Sequence, residues 1–237
     1  MRILITGGAG YIGTHTAINL LENGNDLEII DSFCNSFPAA IERLNYLKKF
    51  LKINSTFNFH NGDLRDEKFI EKIFYESNKS NNPIEAVIHF AGLKSVGDSI
   101  RFPKKYWDFN VNGSINLFKI MEKYECRNIV FSSSATIYKY QGKEVPLNEN
   151  SQIKPTNPYG HTKAEIEKIL QDINKQNVKK WRISILRYFN PIGAHSSGLI
   201  GEDPFGEPSN LFPSIMKVSS KQTEELKIFG NDWPTKD

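Results

Sequence analysis

Short apolar runs alternate along the chain with longer stretches in which apolar residues recur at helical spacing. Runs near 2–6, 26–30, 55–59, 84–90, 127–132 and 181–188 predict strands. Stretches near 11–23, 38–51, 66–77, 104–125 and 157–176 predict amphipathic helices. Pro103 stands where the fourth of these helices begins, a place where its missing N–H costs nothing. Strand–helix alternation of this kind predicts an α/β fold: a doubly wound, Rossmann-like parallel sheet with helices on both faces.

The texture changes near Asn190. Gly193, Gly198, Gly201, Pro204, Gly206, Pro208 and Pro213 crowd a segment unsuited to regular sheet or helix. Leu199, Phe205, Leu211 and Phe212 look buried, which favours a folded binding segment over a linker. A short helix is expected near 211–220, and Glu225–Phe229 reads as one more strand. The expected division is therefore a cofactor-binding domain over 1–189 and a partial substrate-binding lobe over 190–237.

Composition narrows the class only a little. The chain has 237 residues, 39% of them hydrophobic and 24% charged, as in an ordinary water-soluble domain. The net charge of +3 is small, and the pairs Lys48-Lys49, Lys104-Lys105 and Lys179-Lys180 fall near expected helix ends. No basic stripe points to nucleic acid. Cys34 and Cys126 lie far apart and the five histidines are scattered, so neither a disulfide framework nor a metal site is expected. Without a signal-like or membrane-length apolar run, the expectation is a cytoplasmic protein with no membrane contact.

The first strand runs into Gly7-Gly8-Ala9-Gly10-Tyr11-Ile12-Gly13 and then into a helix. Gly7, Gly10 and Gly13 have the phase of a pyrophosphate-binding strand–turn–helix: one for the tight turn, one for phosphate approach, one for close packing. The helix N-terminus adds free N–H groups and partial positive charge. Asp31 closes the second strand 18 residues after Gly13, where a carboxylate can bind the adenosine ribose hydroxyls of NAD and repel the 2′-phosphate of NADP. No cation follows before Arg43. The plainer reading of Asp31 is an exposed turn residue.

Asp63 follows the third strand, either to accept a hydrogen bond from the adenine amino group or to cap the next helix. Phe90-Ala91-Gly92-Leu93-Lys94 follows the fourth, with small residues that let a cofactor cross the sheet and a lysine that could face phosphate. His89 reads as a hydrogen-bonded core histidine.

Tyr159 and Lys163 lie four apart, on one helical face, with Ser132-Ser133-Ser134 after the fifth strand. A tyrosine base near neutrality needs its pKa lowered by about three units, roughly 4 kcal/mol. One ammonium at about 4 Å, with an effective dielectric near 20, supplies about that much. Desolvation of the phenolate opposes it, so the positive nicotinamide has to contribute as well. Ser134 can hold the reacting oxygen in line.

These residues resemble the extended short-chain dehydrogenase/reductase superfamily, and within it the UDP-glucose 4-epimerases, also called UDP-galactose 4-epimerases. The resemblance runs through Thr6–Gly13, Asp31 with Cys34-Asn35-Ser36, His89–Lys94, Phe131–Thr136, Pro158-Tyr159-Gly160 with Lys163, and Leu186–Pro191. It continues through Gly201–Pro204 and Ile228–Asp232, nearly end to end. It implies NAD contacts from Tyr11, Ile12, Asp31, Asn35, Ser36, Asp63, Leu64, Phe90, Ala91, Gly92, Lys94, Lys163, Tyr188 and Phe189. It also implies contacts of Ser134, Tyr159, Asn190, Asn210, Leu211, Ile228 and Phe229 with the substrate, UDP-glucose or UDP-galactose. Tyr159, Lys163 and Ser134 would be the catalytic residues, and homodimers would form through the helices near 104–125 and 157–176.

Two departures stand out. The family's paired asparagines before Val111 are Phe109-Asn110 here. The chain also stops at Asp237, whereas the family continues, so a fragment lacking further diphosphate contacts and exposing apolar surface is expected. Dehydratases and decarboxylases of nucleotide sugars place an acid just after the serine/threonine loop. Ser134-Ala135-Thr136-Ile137-Tyr138 has none, which favours epimerisation. A non-catalytic NAD sensor is disfavoured by the joint presence of Tyr159, Lys163 and Ser134.

Overall fold

A computed structural model of the chain describes residues 1–139, 146–176, 181–204, 206, 208, 210–228 and 230. Phe205, Phe229 and the pair Lys179-Lys180 lie outside these. The strands are β1 (Arg2–Thr6), β2 (Asp26–Asp31), β3 (Phe57–Asn61), β4 (Ile84–His89), β5 (Asn128–Ser134) and β6 (Arg182–Tyr188). They form one parallel sheet in the order β3-β2-β1-β4-β5-β6. The order reverses between β1 and β4, the switch point at which such sheets leave a crevice beyond their carboxyl ends.

The helices are α1 (Tyr11–Glu22), α2 (Pro38–Phe50), α3 (Glu67–Lys79), α4 (Val96–Arg101), α5 (Pro103–Tyr106), α6 (Gly113–Lys123), α7 (Pro158–Gln176) and α8 (Leu211–Ser219). Two apolar clusters flank the sheet. Phe74, Leu117, Phe118, Phe131, Ile166 and Leu170 pack below α3, α6 and α7, and Ile18, Leu21, Ile29, Leu44 and Leu47 below α1 and α2. Alternating side chains of the central strands feed both, as a sheet covered on two faces requires.

Several boundaries differ from the sequence expectation for local reasons. β3 starts at Phe57, two residues late, because the Asp26 carboxylate binds the Thr56 N–H and hydroxyl at 2.7 and 2.8 Å and pairing begins with Leu27 and Phe57. β5 extends through Ser132, Ser133 and Ser134, which pair with Leu186, Arg187 and Tyr188. The long helix expected near 104–125 begins at Pro103 but is broken by a π-helical segment, Trp107–Asn112. That wider turn directs Asn110 inward, where it is buried and bonds both the N–H and the C=O of Leu93 at 2.8 and 3.1 Å. Helix α4, capped by Ser95, was not expected from the sequence.

Coverage of the second face is incomplete, contrary to expectation. Among the described residues α1 and α2 screen the β1–β3 side, while Leu186 on β6 is 42% exposed. No strand forms over 225–228, and Ile228 stands exposed. The expected burial of Leu211 and Phe212 is not found either. Among the described residues α8 buries only Pro213, and its Leu211, Phe212, Ile215 and Met216 remain open to solvent. The segment after Asn190 is nevertheless folded on the α1 side: Ile200 is buried in the second cluster, and the Tyr11 hydroxyl donates to the Gly193 carbonyl at 2.6 Å.

Candidate active site

The carboxyl ends of all six strands open into one cleft of about 900 Å³. Its first wall is the glycine turn. Gly7 has φ +72°, and a Cβ there would meet the backbone N of Ala91 at 2.7 Å. A Cβ on Gly13 would strike the Gly7 carbonyl and Gly8, so the turn and α1 approach only because both lack side chains. Gly10 caps α1 with no side-chain hydrogen bond. The first N–H groups of α1 are thus left for an anion at the lip of the cleft.

Asp31 is buried rather than an exposed turn residue. Its carboxylate accepts the N–H of Ala9 and of Phe33, both at 2.9 Å, and the Ser36 hydroxyl at 2.8 Å. Asn35 and Ser36 lie beside it on the cleft wall, and Arg43 of α2 reaches the same wall. Asp63 also lines the cleft but caps nothing. Asp66 caps α3, accepting the Phe69 N–H at 3.1 Å. Asp63 is instead gripped by Arg65 at 2.8–3.2 Å, and those hydrogen bonds hold its carboxyl below the usual range. Arg65 lies 3.6 Å over the ring of Phe109.

Leu64, Phe90, Ala91, Gly92 and Lys94 continue the wall around the switch point, together with Tyr11 and Ile12. The Lys94 ammonium is largely exposed, 4.0 Å from Glu202. His89 is the core histidine expected. Its Nδ1 lies 2.6 Å from the Thr6 hydroxyl and its Nε2 2.9 Å from the Ser114 hydroxyl, and burial, with the Lys163 charge, pulls its pKa to about 3.

At the other end stand Ser134, Tyr159, Lys163, Tyr188 and Phe189. Lys163 is buried and donates to the Ser132 carbonyl at 2.7 Å; burial lowers its pKa to about 8. Its ammonium lies 6.0 Å from the centre of the Tyr159 ring. Burial raises the Tyr159 phenol above its ordinary value, against an opposing hydrogen bond with Ser134. The expected depression of this phenol is therefore not built in by the lysine alone. Ser134 also accepts the Thr136 N–H at 3.2 Å and its hydroxyl at 2.9 Å, shaping the 3₁₀ turn Ala135–Ile137.

Asn190 and Asn210 line the cleft, and Asn210 donates to Glu202 at 2.9 Å. Leu211 and Ile228 are exposed and stand outside its lining. Phe229 falls outside the described residues.

Sequence reasoning missed the buried Glu167, bound by the Ser133 hydroxyl and by Arg187. Its one available signal was an acid four residues beyond Lys163 on the same face of α7. Among the described residues no three His, Cys, Asp or Glu are grouped to hold a metal ion, and no helix is long and apolar enough to cross a membrane.

A glycine turn and a Tyr159–Lys163–Ser134 cluster that open on one cleft of a parallel α/β sheet make up a Rossmann fold of the short-chain dehydrogenase/reductase kind. The chain belongs to the NAD dependent epimerase/dehydratase family, whose pattern its residues 3–237 match. It is 47% identical over 236 residues to the bifunctional UDP-glucose 4-epimerase and UDP-xylose 4-epimerase 1 of Pisum sativum, covering 100% of this chain and 65% of that protein. It is 46% identical over 237 residues to the UDP-glucose 4-epimerase of Bacillus subtilis (strain 168), covering 100% and 66%. Among solved structures, the UDP-glucose 4-epimerase of Bifidobacterium longum in complex with NAD⁺ and UDP superposes with a TM-score of 0.90 at 43% identity, over 100% of this chain and 68% of that one. The chain thus spans about two thirds of these relatives.

Proposed function

We propose that this chain carries the cofactor site and catalytic residues of a UDP-glucose 4-epimerase, interconverting UDP-glucose and UDP-galactose. The observation that carries the reading is that Tyr159, Lys163 and Ser134 face the same cleft as the glycine turn and Asp31. Residues 1–189 would form the cofactor domain and 190–237 part of the substrate lobe.

Three features support an NAD cradle: the backbone of Gly7 lies where a Cβ cannot, the N–H groups of α1 are uncapped by a side chain, and the Asp31 carboxylate ends β2 beside the turn, where it would meet the adenosine ribose. NAD, when bound, supplies reversible two-electron acceptor chemistry and, in its oxidised form, a positive ring charge. Tyr159, as phenolate, takes the proton from the sugar O4 as C4 becomes a ketone, and returns it after the sugar has turned over. Lys163 is cationic at neutral pH, since its pKa of about 8 remains above 7. Its positive charge, 6.0 Å from the centre of the Tyr159 ring, favours the phenolate over the neutral phenol. Ser134 hydrogen-bonds the phenol and the reacting oxygen. Asn190 and Asn210 would contact the nucleotide sugar.

The named relatives at 46–47% identity support this reading. The absence of an acid over Ser134–Tyr138 favours epimerisation over dehydration or decarboxylation. Exposed Trp107 and Ile115 support a homodimer built on the helices near 104–125 and 157–176. A cytoplasmic role in galactose metabolism fits the same reading. The test is conversion of UDP-galactose to UDP-glucose by the purified chain with NAD, beside a version extended at its C-terminus. Conversion by neither would overturn the proposal.

A further inference from the structure

Behind the catalytic cluster lies a buried charge pair that the chemistry above does not use. Glu167 is 1% exposed. Its carboxylate is gripped in parallel by Arg187, Nε to Oε1 at 3.0 Å and the second guanidinium nitrogen to Oε2 at 2.8 Å. The Ser133 hydroxyl donates to the same Oε1. The remaining arm of Arg187 donates to the Tyr138 hydroxyl at 2.9 Å and the Glu149 carbonyl at 3.0 Å.

Every element carrying a reacting group meets in this knot. Tyr159, Lys163 and Glu167 recur every four residues, so they form one stripe along α7. The stripe is fastened to consecutive residues of β5: Lys163 to the Ser132 carbonyl and Glu167 to the Ser133 hydroxyl, with Ser134 next in line. Arg187 precedes Tyr188 of the cleft on β6, and its grip on Tyr138 holds the far end of the turn that Ser134 caps.

Stability alone is a poor reason for such a pair. A buried ion pair loses as much in desolvation as it regains, and apolar side chains of similar size often hold a core as well. What a planar two-pronged contact adds is direction. It fixes both the height and the rotation of α7 over the sheet, and Tyr159 sits about 12 Å up the same helix at 1.5 Å per residue.

We propose that Glu167 and Arg187, with Ser133, are positioning residues that set Tyr159 and Lys163 against Ser134. The kinetic arm of the claim rests on the epimerase reading; the ionisation of Tyr159 does not. The Ser134 hydrogen bond pulls the phenol down, so any loss of register leaves burial unopposed and drives it up.

The experiment compares the full chain with Glu167→Gln, Arg187→Met and the double change Glu167→Leu with Arg187→Met. The double change removes both charges together, so it keeps a folded protein available where a single variant strands one charge. The ionisation midpoint of Tyr159 is read by ultraviolet titration, with the Tyr159→Phe counterpart of each background subtracted. NAD affinity is read by calorimetry, and kcat and KM are measured on UDP-galactose. The expected result for the folded double variant is NAD affinity within about 2-fold of the parent, a raised Tyr159 midpoint, and kcat lower by about 10- to 100-fold with KM changed far less. An unshifted midpoint with unchanged kcat would overturn the claim. So would a fall in kcat matched by an equal fall in NAD affinity. If the parent converts no UDP-galactose, the functional reading fails, and the midpoint alone still decides the positioning claim.

Discussion

The Asp31 carboxylate accepts the backbone N–H of Ala9 at 2.9 Å, joining the end of β2 to the glycine turn after β1. One side chain therefore holds the glycine turn and, on the proposed reading, would also meet the adenosine ribose of NAD. Since hydrogen bonds to a charged group are worth about 1.5–3 kcal/mol, Asp31→Asn should weaken NAD by about 10- to 100-fold. The parent should prefer NAD to NADP, because the 2′-phosphate would face this buried carboxylate. Paired calorimetric titrations measure both; equal or tighter NADP binding by the parent contradicts the assignment.

Tyr159→Phe removes the proposed proton acceptor and leaves the glycine turn untouched. Turnover of UDP-galactose should fall by about 10²- to 10⁴-fold, with NAD affinity unchanged. Near-normal turnover would mean that another group takes the O4 proton.

Gly7→Ala should damage binding through the backbone. At φ +72° an L side chain is strained, and its Cβ would collide with the backbone N of Ala91. Strain of this kind costs about 1–3 kcal/mol. Chemical denaturation should show that loss, and NAD titration a larger one, because the turn must open to relieve the contact.

Acid should weaken the fold through His89. Its pKa of about 3 lies below the unfolded value of 6.5, so as pH falls the unfolded chain takes up a proton that the folded protein refuses. Stability is full above pH 6.5 and drains away between there and about 3. The loss by pH 5 is about 2 kcal/mol. Urea midpoints from pH 7.5 to 5 should show this slope in the parent and a flatter one in His89→Gln, which cannot titrate. Parallel curves would place the titrating group elsewhere.

Leu186, Phe212 and Ile228 expose apolar side chains on β6, α8 and the segment beyond it. The chain should therefore bind an environment-sensitive apolar dye in its folded state. Changing Leu186 and Phe212 to Ser should lower dye binding while shifting stability by less than about 1 kcal/mol, as expected for exposed sites. A larger destabilisation would show that these positions are covered in solution.

Local rules were enough to read much of this molecule from sequence. The glycines of the turn, the Tyr159–Lys163 pair, the buried His89 and the helix start at Pro103 depend on neighbours within a few residues. The cofactor-side residues named from sequence, from Gly7 to Phe189, all line one cleft. Apolar pattern gave the strands and the long helices but misled at two places. Ser133 and Ser134 read as loop beyond the expected strand end because polar residues rarely mark a strand interior, yet pairing with β6 keeps them in the sheet. Leu211 and Phe212 looked buried because hydrophobicity records what a residue would gain from cover, not whether cover is present.

The sequence by itself determined the parallel α/β architecture, the turn that only glycine can make, and the placing of Tyr159 and Lys163 on one face of a helix. Each of these is set by steric limits or helical spacing within a short segment. Only the tertiary structure decided that Asp31 holds the turn, that Asp66 rather than Asp63 caps α3, and that Asn110 turns inward through a π-helical segment. It alone brought Ser133, Glu167 and Arg187 together from three different elements. A buried polar group is tolerated only beside its partners, and those partners come from distant parts of the chain, so no local pattern announces them.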